Sequence, residues 1–202
     1  MKFKEFKIET RTFQFMEKSF LDTKEGLDSL QERGTLLYLF AKISNAKVII
    51  ETGTSNGFSS TCLSNAMKDN NIQGEIHTFD CYEWGSEYSS KENAKESIKL
   101  NKAEDIIVQH IGNSIELLPK VLDSLSEKVD FVHIDSEHDY NTPKKEFALI
   151  EPYLNDKSYI FFHDTDIQSV EQAVNDILID RKGIYQKIIL PLHSEMTILQ
   201  KV

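Results

Sequence analysis

The chain has 202 residues, 40% of them hydrophobic and 28% charged, which suits one globular domain with a sizeable core. Its 23 basic and 33 acidic residues give a formal net charge of −10, which excludes nucleic acid as the expected partner because phosphate binding draws on clustered Lys and Arg. No apolar run approaches a membrane span, the first residues lack the apolar core of a secretory signal, and Cys62 and Cys81 form neither a metal-like spacing nor a disulfide framework, so a soluble protein in a reducing cytoplasm is expected.

In chain order, residues 1–22 read as an N-terminal arm. It is rich in phenylalanine (Phe3, Phe6, Phe13, Phe15, Phe20), has no clean period, and is suited to packing on the domain or against a second copy in a homodimer. Residues 23–202 read as one domain. Asp22-Thr23-Lys24-Glu25 supplies a helix start, and Leu27, Leu30, Leu37, Tyr38, Phe40 and Ala41 an apolar face up to Ile43, interrupted by Gly34. Val48-Ile49-Ile50-Glu51 is a short buried strand. It turns through Gly53-Thr54-Ser55-Asn56-Gly57 into a helix that runs from Phe58 to Met67.

That unit then repeats. Strands are expected at Glu75–Asp80, Asp105–His110, Val129–Asp135 and Ser158–His163. Helices are expected at Ser89–Lys102, Ile115–Leu125, Thr142 to about Leu154, and Ile167–Asp180. The charged residues of Lys91–Lys102 read as a solvated helix face. Two alternating runs, Tyr185–Leu192 and Glu195–Val202, are too close for a helical crossover and should pair as a hairpin. The fold class is therefore α/β: a Rossmann-like, mostly parallel seven-stranded sheet with helices on both faces and a C-terminal antiparallel hairpin.

Ligands of such a sheet bind beyond the carboxyl ends of its strands, which here carry Glu51, Asp80, Gly112-Asn113-Ser114, Asp135 and His163-Asp164. The glycine turn lets backbone approach a ligand, and the helix after it offers free N–H groups. Glu51 would repel a pyrophosphate but suits a cationic or hydroxyl-bearing ligand. Asp80, 23 residues beyond Gly57, is placed to accept from ribose hydroxyls. Asp135 and Asp164 end neighbouring strands, with Glu137 and Asp166 nearby, an oxygen-rich corner suited to Mg²⁺. Such an ion would hold a substrate hydroxyl and lower its pKa, and His138 could remove the proton. His133, inside its strand, reads as structural.

Taken together, Glu51-Thr-Gly53-Thr-Ser-Asn-Gly57-Phe-Ser59, Asp80, Asn113-Ser114, Asp135-Ser-Glu-His138-Asp-Tyr140 and Phe162-His163-Asp164 resemble the class I S-adenosylmethionine-dependent methyltransferases. The likeness is to the small-molecule O-methyltransferases, catechol O-methyltransferase-like and macrocin O-methyltransferase-like, over residues 25–202. The resemblance implies S-adenosylmethionine as cofactor. Gly53, Thr54, Ser55, Gly57 and Ser59 would wrap its methionine part with Glu51 beneath, Asp80 would take the ribose, and Asn113 and Ser114 would sit near the adenine. Asp135 and Asp164 would match the metal-binding acids, with Asp135 at both the cofactor and the catalytic centre beside His138. Two positions depart from the catechol branch. Thr165 stands where that branch has asparagine, and His138 where it has a lysine base, the latter being similar to the macrocin-like relatives, which act on sugar hydroxyls.

Two other readings stand beside this one. A nicotinamide-dependent oxidoreductase would expect Gly-x-Gly-x-x-Gly in place of Gly53-Thr-Ser-Asn-Gly57. A non-catalytic module would bind S-adenosylmethionine without turnover. The acceptor, a small hydroxylated molecule, would be recognised by the arm, the loop after Asp164 and the segment 82–88, where Tyr82, Trp84 and Tyr88 could line an aromatic slot.

Overall fold

The computed structural model describes residues 24–83, 89–192 and 194–202, with backbone alone for 24–31. The N-terminal arm, Trp84 and Tyr88 of the aromatic slot, and the side chains of Leu27 and Leu30 lie outside the described residues. In chain order the elements are α1 (Lys24–Ser44), β1 (Val48–Thr52), α2 (Phe58–Asp69), β2 (Glu75–Asp80), α3 (Lys91–Leu100), β3 (Ile107–Ile111), α4 (Ser114–Ser124), β4 (Val129–Ile134), α5 (Asn141–Ile150), a single 3-10 turn (Glu151–Tyr153), β5 (Leu154–Phe162), α6 (Gln168–Asp180), β6 (Tyr185–Leu190) and β7 (Met196–Lys201).

The strands form one seven-stranded sheet in the order β3-β2-β1-β4-β5-β7-β6. The first five are parallel. The terminal hairpin pairs as expected, but β7 inserts between β5 and β6 and runs antiparallel to both. Consecutive side chains of a strand point to opposite faces, and both faces here are apolar. Val48 and Ile50 of β1 join the residues of α4, α5 and α6, including Leu118, Leu122, Phe147 and Val174, in one core. Ile49 joins Leu37 and Tyr38 of α1, Leu63 and Met67 of α2, and Ile98 of α3 in the other. A run of β-branched residues with no polar alternation is what a strand covered on both faces requires.

The expected boundaries hold to within a few residues, with one informative exception. The helix expected to reach about Leu154 ends at Ile150. Pro152 falls in the 3-10 turn, and Leu154 already opens β5. The register of β4 with β5 jumps between Val129↔Leu154 and Phe131↔Tyr159, so the regular ladder resumes one residue after Ser158, where the strand was expected to start. The Ser158 hydroxyl donates to the Val129 carbonyl at 2.8 Å and closes the irregularity.

The chain winds outward from β1 through β2 to β3, then returns to lay β4 on the other side of β1. That reversal opens a crevice at the carboxyl ends of β1 and β4, the place where open α/β sheets bind ligands. Among the described residues, no helix is long and apolar enough to cross a membrane.

Candidate active site

Two adjoining cavities occupy this crevice. One, of about 220 Å³, is lined by Gly53, Ser55, Asp80, Asn113, Ser114 and Asp135, among others. The other, of about 250 Å³, is lined by Arg33, Gly53, Thr54, Ser55, Ser59 and His138, again among others. Gly53, Ser55, Asp135 and Ser136 belong to both, so the two are halves of one trough.

The floor of the trough is Gly53. Its φ is +89°, and a Cβ placed there would lie 1.8 Å from the Asp135 carbonyl oxygen. Only glycine lets the end of β1 pass this close to the end of β4. The strand ends are cross-braced by Gly53 N–H to the Phe79 carbonyl and Asp135 N–H to the Thr52 carbonyl, each 2.9 Å. Asp80 holds the turn from its other side: its carboxylate accepts from Ser55 N at 2.8 Å and from Tyr82 N at 2.7 Å. Asn113 caps α4 through its side-chain oxygen, which accepts from Ile115 N at 2.9 Å.

Glu51 and Gly57 stand outside the trough lining. Glu51 is fully buried beneath it and accepts from the hydroxyls of Ser60 and Thr78, the latter at 2.7 Å. It also faces His133 Nδ1 at 3.1 Å. His133 is itself fully buried, as a structural histidine would be. Gly57 is the N-cap of α2 at φ +81°, and a Cβ there would come within 3.3 Å of the Ala94 carbonyl. Its missing side chain serves the turn and the packing of α3.

At the far end of the trough the chain brings Asp135, His138 and Asp164 together, each with a ligand atom within 4.8 Å of the others. His138 Nε2 lies 2.9 Å from Asp164 Oδ2. That hydrogen bond raises the His138 pKa against the opposing effect of burial. Asp164 adopts a left-handed backbone, φ +53°, an unusual conformation for a non-glycine residue and one found at functional sites. Burial works against the charge of Asp164, but His138 and His163 hold its carboxyl well below the usual range. Asp135 is likewise held low: burial opposes its charge and His163 favours it. Thr165 takes no part in this corner. Its hydroxyl bonds Glu195 Oε1 at 3.0 Å and Thr197 Oγ1 at 3.1 Å.

Three residues of the site carry no role in the sequence reading. His163 is buried, its Nδ1 3.1 Å from Asp135 Oδ1 and 2.8 Å from Asp164 Oδ2 but aligned for a good hydrogen bond to neither. Burial lowers its pKa, while Asp135 and Asp164 more than offset that. Arg33 Nη1 lies 2.9 Å from His163 Nε2. A guanidinium can only donate, so Nε2 accepts and the proton sits on Nδ1. A second proton on Nε2 would set donor against donor, so this contact opposes the charge that the two carboxylates favour. Arg33 reaches the site because Gly34, next to it, lets α1 close onto Phe58, whose ring a Cβ would meet at 2.6 Å.

The third is Glu146 of α5, fully buried. It accepts from Thr52 Oγ1 at 2.9 Å, from Ser114 Oγ at 2.5 Å, and from Ser136 Oγ at 2.8 and 2.9 Å. The Ser114 hydroxyl is thus committed to Glu146. Burial pushes the Glu146 carboxyl up to about 7, with the three hydroxyls opposing the rise. A carboxyl whose folded pKa exceeds its unfolded value stabilises most at low pH and loses that contribution as pH rises through the folded value. Relative to the intact protein, Glu146→Gln should therefore gain up to about 3 kcal/mol in urea unfolding between pH 5 and pH 8. A difference that stays constant over that range would show that Glu146 is not strained by its burial.

The family model described as a methyltransferase domain matches residues 50–165 of the chain, which span the trough from β1 to the residue after Asp164. An uncharacterized protein of Acanthamoeba polyphaga mimivirus is 31% identical over 137 residues, 65% of this chain and 59% of that one. The chain spans less than two thirds of the length of the curated relatives it matches, 13% and 59%. Among solved structures, the O-methyltransferase TomG of Streptomyces achromogenes, in complex with SAM, superposes with a TM-score of 0.68 at 16% identity, covering 93% of this chain and 91% of that one. An O-methyltransferase of Bacillus cereus, in complex with SAH, gives 0.66 at 15% identity, covering 95% of each. With the family model matching more than half its length, the chain belongs to the methyltransferase-domain family.

Proposed function

We propose that the protein transfers a methyl group from S-adenosylmethionine to a hydroxyl of a small molecule. One observation carries this reading: the glycine turn, Asp80 and Asn113 line a trough that continues into the corner of Asp135, His138 and Asp164. The cofactors in the TomG and Bacillus cereus structures agree with it. In this assignment Asp80 takes the ribose hydroxyls and the wall of Asn113 and Ser114 flanks the adenine. Thr54, Ser55 and Ser59 surround the methionine part.

Methyl transfer is an in-line displacement. The acceptor oxygen attacks the sulfonium methyl, the carbon–sulfur bond breaks, and the hydroxyl proton must leave. The chain's work is to align the two partners and take that proton. With Nε2–H donating to Asp164, Nδ1 of His138 is the atom left to accept it. The acids of the corner also favour a cationic donor over its neutral product.

The donor set fits a divalent cation. The Asp135 and Asp164 carboxylates each bring an oxygen within 4.8 Å of the other. Asp135 and Asp164 would hold Mg²⁺, which supplies a Lewis acid that lowers the pKa of the acceptor hydroxyl. The test is transfer of a labelled methyl to a panel of catechols and sugar hydroxyls, with Mg²⁺ or with EDTA. Transfer should fall at least about tenfold in EDTA, and in Asp164→Ala. Equal rates with and without the metal would remove it and leave the cofactor assignment standing. No transfer to any acceptor would count against the whole reading.

A further inference from the structure

Glu146 lines neither cavity, yet it is bonded to side-chain hydroxyls from three of the segments around the adenosine half of the trough. Thr52 precedes Gly53, Ser114 follows Asn113, and Ser136 follows Asp135. The carboxylate receives four hydroxyl contacts from them, two on each oxygen. An ionised carboxylate offers about four lone-pair sites, and three hydroxyl protons serve them, that of Ser136 lying within reach of both oxygens. Among the described residues it has no ion-pair partner, and the charged neighbour that acts on it is Asp139, also an acid.

A buried acid without a cation costs stability, and an apolar residue would suit the face better: Pro143, Phe147 and Ile150 are its buried neighbours on α5. Its cost lies in stability and its contacts all lie at the ligand site. We propose that Glu146 is a positioning residue for the cofactor, which sets the width of the adenosine pocket by drawing the ends of β1 and β4 and the start of α4 onto one carboxylate. The inference rests on S-adenosylmethionine as the ligand of the trough. A neutral amide of the same shape replaces one acceptor oxygen with a donor, so the hydroxyls on that side must turn and the three segments lose their common anchor.

The test pairs two measurements at pH 8 on intact protein and Glu146→Gln: urea unfolding and calorimetric titration with S-adenosylhomocysteine. A merely structural residue would move both in the same direction. The positioning role predicts opposite signs, with the variant at least as stable as the intact protein and its affinity about tenfold weaker. Ser136→Ala, which removes one donor and adds no bulk, should weaken affinity in the same direction and serves if the glutamine variant fails to fold. Affinities of the folded variants within twofold of the intact protein would overturn the role of Glu146. Failure of the intact protein to bind at all would instead remove the cofactor reading on which the inference rests.

Discussion

Replacing His138 with alanine should cut methyl transfer by roughly 10²- to 10³-fold while leaving the affinity for S-adenosylhomocysteine within a few-fold. The reason is geometric. His138 sits at the Asp164 end of the trough, half-exposed, with one ring nitrogen fixed by Asp164 at 2.9 Å. Truncation removes the proposed proton acceptor, whereas the turn, Asp80 and the α4 cap remain in place. Steady-state transfer assays and calorimetry on the same preparation check both halves. If affinity collapses with activity, His138 holds the cofactor and the proton must leave by another route.

The second large effect is expected at Gly53. Alanine there would carry a Cβ into the Asp135 carbonyl oxygen at a backbone φ of +89°. The left-handed conformation alone costs a non-glycine residue about 1–2 kcal/mol, and the overlap requires the end of β1 or β4 to move. Gly53→Ala should lower stability by at least about 2 kcal/mol, a Tm drop of roughly 4–8 °C for a chain of this size. It should also abolish measurable cofactor binding, because the displaced segment carries Asp135 and Ser136, shared by both cavities. Gly183, at φ +85° with no atom within 4 Å of the place a Cβ would take, is the control. Alanine there carries the backbone cost only and should leave binding intact.

The sheet was legible because its strands are covered on both faces. Val48-Ile49-Ile50 and Phe161-Phe162 are apolar runs that no half-solvated strand would carry, and the acids that end the strands marked the edge where ligands bind. The insertion of β7 between β5 and β6 was not legible: a hairpin has the same local pattern whichever of its strands meets the sheet. The early end of α5 could have been read from Pro152, which the apolar period of the helix overrode.

At the site, residues at strand ends could be found by position alone, and Asp80, Asp135, His138 and Asp164 do converge on the trough. Glu146 left a signal that went unused. It lies at helical spacing from Pro143, Phe147 and Ile150, so an acid occupies the apolar face of α5. Arg33 left none. It precedes a glycine in a long helix, and only the packing of α1 on α2 shows that its guanidinium reaches His163, 130 residues away. Glu51 illustrates the converse. Its place at the end of β1 suggested a ligand contact, whereas its carboxylate is spent on Ser60, Thr78 and His133 under the trough.

The central claim is that the trough binds S-adenosylmethionine, and calorimetric titration with S-adenosylhomocysteine, on intact protein and Asp80→Ala, tests it most directly. The intact protein should bind in the micromolar range. Loss of the proposed ribose-binding carboxylate, together with its anchors to Ser55 and Tyr82, should weaken that by roughly 10- to 100-fold. No heat of binding with the intact protein, or equal affinity in Asp80→Ala, would contradict the account.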